Sequence, residues 1–267
     1  MQKGILLGKG MTAEVYEWGQ DKVLKLYYEV FSNEWINHEA KVGKAVHKAG
    51  IPSPAVFETI SVGNRKGTIF ERIFGKPLLK HLEAEPWKAH YLTQQSAELQ
   101  IKIHKYSSEN LPSQKDNLTS KINPASRILG SKKDIIIEYL KNLPDGNSVC
   151  HGDFHFNNII VSDKGLIPVD WTNAYLGNPF GDVARTWLIL NSPSRFTELF
   201  NIMSTSYHYT KQLPYWQYLN EYIRLSNASF ESIDEWILPI AAAKLADRIP
   251  GEEKWLMNII NARLENI

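Results

Sequence analysis

Polar and apolar positions alternate over the first thirty residues. "AEVYEW" and "KVLKLYY" are rich in aromatic and branched residues, and "GQD" lies between them, which predicts two strands joined by a turn. In "VLKLY" a period of two puts Val23, Lys25 and Tyr27 on one face, so a lysine stands on an otherwise apolar surface. The period lengthens in "SNEWINHEAKVGKAVHKAG". Apolar residues there recur at helical spacing, Ser32 or Asn33 can cap the start, and Gly50 ahead of Pro52 ends the helix. "AVFETIS" and "KGTIFERI" return to a strand pattern around "VGNR", and Gly75 and Pro77 break it. Beyond them helical patterns dominate. A long helix is expected over 85–106, a polar loop over 107–117, one or two helices over 116–142, and further helices from 179 onward, separated at Pro193, Pro214 and Pro250. Strands are expected near 158–162 and 165–169.

The pattern predicts an α+β, bilobal chain. A small β-rich lobe takes up about 1–72, a crossing 73–76, and a larger, mainly helical lobe 77–267. Clefts between lobes are preferred ligand sites. Composition narrows the partners. A formal net charge of +1 carries no footprint of nucleic-acid binding. No apolar run approaches the ~20 residues of a membrane span, and "MQKGILLGKG" lacks the apolar core of a signal peptide. Cys150 is the single cysteine, so an internal disulfide and a CxxC zinc site are both excluded, and a reducing cytoplasm is the expected location.

Three sets of residues are candidates for chemistry. In "LGKGMTAEVY", Gly8, Gly10 and Ala13 form a G-x-G-x-x-A pattern between strands, where backbone N–H groups can approach a phosphate; a plain hairpin would read the same way. A strand follows it rather than a helix, so it is no Rossmann fingerprint. Lys25 could hold phosphate oxygens, with Glu39 on the next helix as its partner and Glu34 as the alternative. The third set lies in "VCHGDFHFNNIIVSDKGLIPVDW". Asp153 is followed after 5 residues by Asn158 and after 12 more by Asp170. Phosphoryl transfer needs one carboxylate to orient an acceptor hydroxyl, and an amide oxygen and a second carboxylate to hold Mg2+, a hard ion that prefers oxygen.

"HGDFHFNN" followed by "VDW" resembles the aminoglycoside phosphotransferase and choline kinase-like superfamily, small-molecule relatives of the protein kinases. The resemblance extends over the Gly-rich loop, Lys25, Glu39, "FERIFGKPL" and "GNPFGDVAR". It implies a bilobal protein-kinase-like fold and a small-molecule kinase that moves the γ-phosphoryl of ATP, or of GTP, to an alcohol. Asp153 would be the catalytic base or acceptor-orienting aspartate. Asn158 and Asp170 would bind Mg2+. Lys25, paired with Glu39, would contact the α- and β-phosphates, and Gly8 and Gly10 would cover them. The Glu71 carbonyl and the Ile73 N–H would meet the adenine edge, with Phe70 behind the ring. An aspartate matching Asp182 would brace the catalytic loop. His-Gly-Asp stands where protein kinases have His-Arg-Asp, and no Ala-Pro-Glu follows, so a small-molecule hydroxyl acceptor is expected rather than a protein.

Other readings compete. A kinase-like scaffold that binds nucleotide without catalysis would usually have lost Lys25, Asp153, Asn158 or Asp170, and all four are present. His151 and His155 could supply part of a zinc site, but a brace for the loop is expected. Arg185 is expected in a salt bridge. Glu231, Asp234 and Glu235 could face a cationic acceptor, although a solvated helix face is the plainer reading. Trp87, Trp187, Trp216, Trp236 and Trp255 are expected in the core. Acceptor identity and oligomeric state stay open.

Overall fold

The computed structural model describes residues 3–195, 214–265 and 267. Its N-terminal part is an antiparallel sheet of β1 (Leu6–Lys9), β2 (Ala13–Glu17), β3 (Lys22–Tyr27), β4 (Val56–Val62) and β5 (Arg65–Glu71), in the order β1-β2-β3-β5-β4. One inner face buries Tyr16, Leu24, Leu26 and Ile69. Period-two alternation puts Lys25 and Tyr27 on the opposite face from Leu24 and Leu26. Gly8 lies within β1, next to a register shift, and Gly10 opens the turn, where its N–H donates to the Ala13 carbonyl at 2.9 Å.

Helix α1 (Asn33–Lys48) starts where its cap predicts: the Ser32 side chain accepts from the Trp35 N–H. Its buried stripe includes Ile36, Glu39, Ala40, Gly43 and Val46, so a carboxylate is built into an apolar face. Val42 and Val46 belong to the large core that continues into the helical part through Leu78, Leu82, Leu118 and Trp171.

The chain leaves β5 and joins a second, three-stranded sheet. There β6 (Lys76–Pro77) pairs with β8 (Ile159–Ser162), which pairs with β9 (Gly165–Pro168). Gly75 makes this crossing possible. Its φ is +154°, and a Cβ on it would lie 2.1 Å from the Val161 carbonyl oxygen. Gly75→Ala is expected to cost at least about 2 kcal/mol, measured by urea unfolding, because both the backbone angle and the close approach resist a side chain.

The helical part holds α2 (Leu78–Ala84), α3 (Ala89–Ile103), α4 (Gln114–Ile122), α5 (Ser126–Leu129), α6 (Lys132–Asn142) and α7 (Pro179–Leu190), then helices Pro214–Ser226, Phe230–Asp234, Ile237–Lys244 and Glu253–Leu264. A short ladder of β7 (Ser148–Cys150) with β10 (Tyr175–Gly177) supports the segment that opens at His151. The expected 85–106 helix is preceded by a 3-10 turn at Pro86–Lys88. The polar loop is shorter than expected, because Ser113 caps α4 by accepting from the Asp116 N–H. The expected helical content over 196–213 lies outside the described residues. Two of the expected core tryptophans are exposed, Trp87 on the 3-10 turn and Trp216 on helix Pro214–Ser226, whereas Trp236 is buried. Trp187 and Trp255 pack against the core while only partly buried. Among the described residues no helix is long and apolar enough to cross a membrane.

Candidate active site

Lys25 projects from the middle of β3 and meets Glu39 of α1 at 2.6 Å. The same ammonium reaches Asp170, just past β9, at 3.1 Å. Glu39 is buried and takes the partner position that the spacing predicted; Glu34 does not. Burial alone would lower the Lys25 pKa, but Asp170 and Glu39 outweigh it and hold the amine firmly protonated. Lys25 thus ties the sheet, the helix and the second lobe at one point.

Asp170 occupies a left-handed backbone position, φ +62°, uncommon for a residue with a side chain. Burial pushes its carboxyl up, and Lys25 pulls it below the ordinary range despite opposition from Asp153. Its Oδ1 accepts from Lys25 and from the Thr172 hydroxyl at 2.9 Å.

Asp153 follows the ladder of β7 with β10. Asn158 closes the 3-10 turn Phe156–Asn158, for which the His155 ring accepts from the Asn157 N–H at 3.3 Å. The Asn158 amide donates to the Asp153 carbonyl at 3.0 Å and to Asp153 Oδ2 at 3.2 Å. His155 Nε2 faces the same Oδ2 at 3.5 Å, while Arg185 approaches Oδ1 at 3.9 Å, beyond hydrogen-bond reach. Burial pushes the Asp153 carboxyl up, but His155 and then Arg185 hold it well below the usual carboxylate range. Asn158 is joined to the next strand through its carbonyl, which accepts from the Val169 N–H at 2.9 Å. Both Asn158 Oδ1 and Asp170 Oδ2 lack hydrogen-bond partners among the described residues. They are hard oxygen donors of the kind Mg2+ takes, so the donor set fits that ion.

Asp182 holds the backbone of this loop. It lies in the first turn of α7, behind the Asn178 cap and Pro179. Its fully buried carboxylate accepts from the N–H groups of His151 (3.0 Å) and Gly152 (2.7 Å), from Gln100 (2.9 Å) and from His104 Nε2 (3.0 Å). Burial opposes its ionisation, and the bonds from His104 and Gln100 restore it below the ordinary aspartate range. Gly152 has φ +73°, and a Cβ there would lie 2.2 Å from the Asn173 carbonyl oxygen, so no other residue fits without rearrangement. Arg185, one turn past Asp182, donates to the Gly152 carbonyl and pairs with Asp247 at 3.1 Å.

His151 spends both ring nitrogens on backbone groups. Nδ1 accepts from the Asp153 N–H at 3.3 Å, which leaves Nε2 to donate to the Val169 carbonyl at 3.1 Å. Burial lowers its pKa and keeps the ring neutral. Within the acidic stretch Asp234 pairs with Arg263 at 2.5 Å, while Glu231 and Glu235 are exposed. At the crossing, the Glu71 N–H donates to the Ala55 carbonyl, and the Ala55 N–H goes to the Glu71 carboxylate. Among the described residues no hydrogen bond takes up the Glu71 carbonyl or the Ile73 N–H. Gly8 and Gly10 stand at the far end of the sheet; a side chain at Gly8 would meet open space, and a Cβ at Gly10 would touch the Ala13 carbonyl oxygen at 3.7 Å.

A β-sheet lobe joined to a helical lobe through a lysine–glutamate–aspartate contact defines a protein-kinase-like protein. The chain belongs to the phosphotransferase enzyme family, whose sequence profile matches residues 4–217. The chain is similar to acyl-CoA dehydrogenase family member 10 of Mus musculus, with 27% identity over 184 residues, 60% of this chain and 17% of that protein. The match therefore spans only a small part of that relative's length. Among solved structures, an aminoglycoside-3'-phosphotransferase of type VIII superposes with a TM-score of 0.60 at 16% identity, covering 91% of this chain and 93% of the other. The streptomycin-ATP ternary complex of APH(2")-IIa superposes with a TM-score of 0.50 at 14% identity, covering 99% and 91%. These similarities establish the fold.

Proposed function

We propose that this chain transfers the γ-phosphoryl group of ATP to a hydroxyl of a small molecule. The observation that carries the reading is one arrangement: Lys25 bridges Glu39 and Asp170, and Asn158 bridges Asp170's strand to Asp153. The ATP in the APH(2")-IIa complex supports a nucleotide in the equivalent cleft. Lys25 would meet phosphate oxygens, and the unpaired Glu71 carbonyl and Ile73 N–H offer an acceptor and a donor to an adenine edge. Gly8 would leave room for phosphates beside the β1–β2 turn that Gly10 opens. Asn158 and Asp170 would hold Mg2+, which supplies charge neutralisation along the phosphates.

Within Asp153 the two oxygens have different surroundings. Oδ2 is taken by Asn158 and faces His155, so Oδ1 is the atom that can accept an acceptor hydroxyl. A carboxyl held below its ordinary range is a weak base. Asp153 therefore acts mainly by aiming the hydroxyl oxygen at the γ-phosphorus, and takes the proton as the new P–O bond forms and the bond to ADP breaks. That role suits a loose transition state, in which the nucleophile needs placement more than deprotonation.

Asp170→Ala is expected to weaken Mg-ATP binding by about tenfold or more, equivalent to about 1.4 kcal/mol. Calorimetric titration measures this; unchanged affinity would remove Asp170 from the nucleotide site. The function itself is tested by incubating the chain with ATP or GTP and a broad panel of hydroxylated acceptors, read by product mass. A phosphorylated alcohol supports the reading. Tight nucleotide binding with no phosphorylated product in any class would favour a non-catalytic scaffold.

A further inference from the structure

The surroundings of Asp153 contain a cation that the phosphotransfer scheme leaves without a task. Lys121 lies in the last turn of α4, which packs against the 3-10 turn Leu245–Asp247. Its ammonium donates to Asn173 Oδ1 at 2.9 Å. The Asn173 carbonyl lies directly over Gly152, the residue before Asp153. Lys121 is therefore one side chain removed from the loop that carries the acceptor-orienting carboxylate.

The two carboxylates near it, Asp153 and Asp247, lie within ion-pair distance of Arg185 and not of Lys121. Arg185 pairs with Asp247, and Asp153 is flanked by His155 and Arg185. Lys121 has a neutral amide as its hydrogen-bond partner, and among the described residues no carboxylate comes within ion-pair distance of it. Burial and then the nearby Arg185 push its pKa down to about 8, against the pull of Asp247 and Asp153. Half-burying an ammonium against an amide alone is unfavourable unless an anion completes the site.

A polycationic acceptor would meet repulsion at this position, and Asp234, one of the acidic residues that might have drawn one, is paired with Arg263. We propose that the acceptor is an alcohol bearing an anionic oxygen group, a carboxylate or a phosphate monoester, and that Lys121 binds this group while Asp153 engages the hydroxyl. The proposal rests on the phosphotransferase reading above and narrows it to a substrate class.

The test uses the full chain, saturating Mg-ATP, and alcohols of one chain length that end in a carboxylate, a phosphate monoester, an uncharged amide or a trimethylammonium group. The carboxylate or phosphate alcohol is expected to exceed the amide in kcat/KM by at least tenfold, and the better of the two identifies the anion. Lys121→Ala is expected to raise KM for the anionic alcohols at least tenfold with little change in kcat, to leave the amide within twofold, and Lys121→Arg to restore the preference. Transfer that favours the amide or trimethylammonium alcohol overturns the proposal and leaves phosphotransfer standing. Absence of transfer to every alcohol overturns the phosphotransferase reading as well. Binding is read independently by NMR of the chain with 13C-dimethylated lysines, the Lys121 signal being assigned by its loss in Lys121→Arg. That signal is expected to shift on adding 3-hydroxybutyrate or glycerol 3-phosphate in the presence of ADP, and no shift with either overturns the proposal.

Discussion

Asp153→Ala is expected to lower kcat by about 10²–10⁴-fold, the range associated with a positioned acid–base group, while Mg-ATP affinity stays within about threefold. The separation follows from the geometry. Of the residues assigned to the nucleotide, Lys25 contacts Glu39 and Asp170, and none of the three contacts the Asp153 carboxylate. Asn158 would keep its bond to the Asp153 backbone carbonyl after truncation, so its place in the loop survives. What disappears is Oδ1, the oxygen available to the hydroxyl. Rapid-quench turnover and calorimetric nucleotide titration measure the two effects together. Near-normal turnover with the same acceptor would remove Asp153 from the reaction. A parallel collapse of nucleotide affinity would show that it serves binding instead.

The second large effect concerns stability. Asp182→Ala is expected to cost about 3–5 kcal/mol, roughly 8–15 °C in Tm, because it strands groups in the core. The His151 and Gly152 N–H groups, Gln100 and His104 all lose their shared acceptor in a site that water does not reach. Activity falls with stability, since the same two N–H groups set the path of the backbone into Asp153. Acid dependence gives an independent check. Asp182 has a folded pKa below its unfolded value, so its stabilisation is complete above the ordinary aspartate pKa of about 3.9. That stabilisation is lost as pH falls toward the lower folded value. In Asp182→Asn, the slope of stability against pH below about 4 is expected to flatten relative to the unmodified chain, as read by urea unfolding at successive pH values. An unchanged slope would mean that Asp182 carries no such linkage.

Much of this site was legible because it is local. Lys25 declares itself by breaking the apolar face of one strand, and Glu39 by breaking the apolar stripe of the following helix; both periods can be read in a few residues. Asp153, Asn158 and Asp170 lie on one hairpin-like unit, so their separations along the chain carry their geometry. The remainder depends on contacts between distant segments. Gln100 on α3 and His104 at its C-cap sit one helical turn apart and look like ordinary polar positions until α7 brings Asp182, some 80 residues later, against them. Lys121 and Asn173 are 52 residues apart, and neither has a local pattern that points to the other. The start of α4 was obscured for a different reason. Its buried apolar side chains are only Leu118 and Ile122, too few to establish a period, and the Ser113 cap looks like part of the polar loop before it. Trp87 and Trp216 are exposed against expectation because aromatic character measures the gain from burial and not whether a neighbouring element covers the ring.

The most direct test of the central claim follows the phosphoryl group itself. The full chain is incubated with Mg2+, an accepted alcohol and ATP labelled with 18O on the terminal phosphoryl oxygens, and the products are resolved by mass. Direct transfer predicts a phosphomonoester of the alcohol that keeps all the label on its terminal oxygens, formed in step with ADP and lost in Asp153→Ala. Label appearing only in inorganic phosphate, with the alcohol unmodified, would contradict the account.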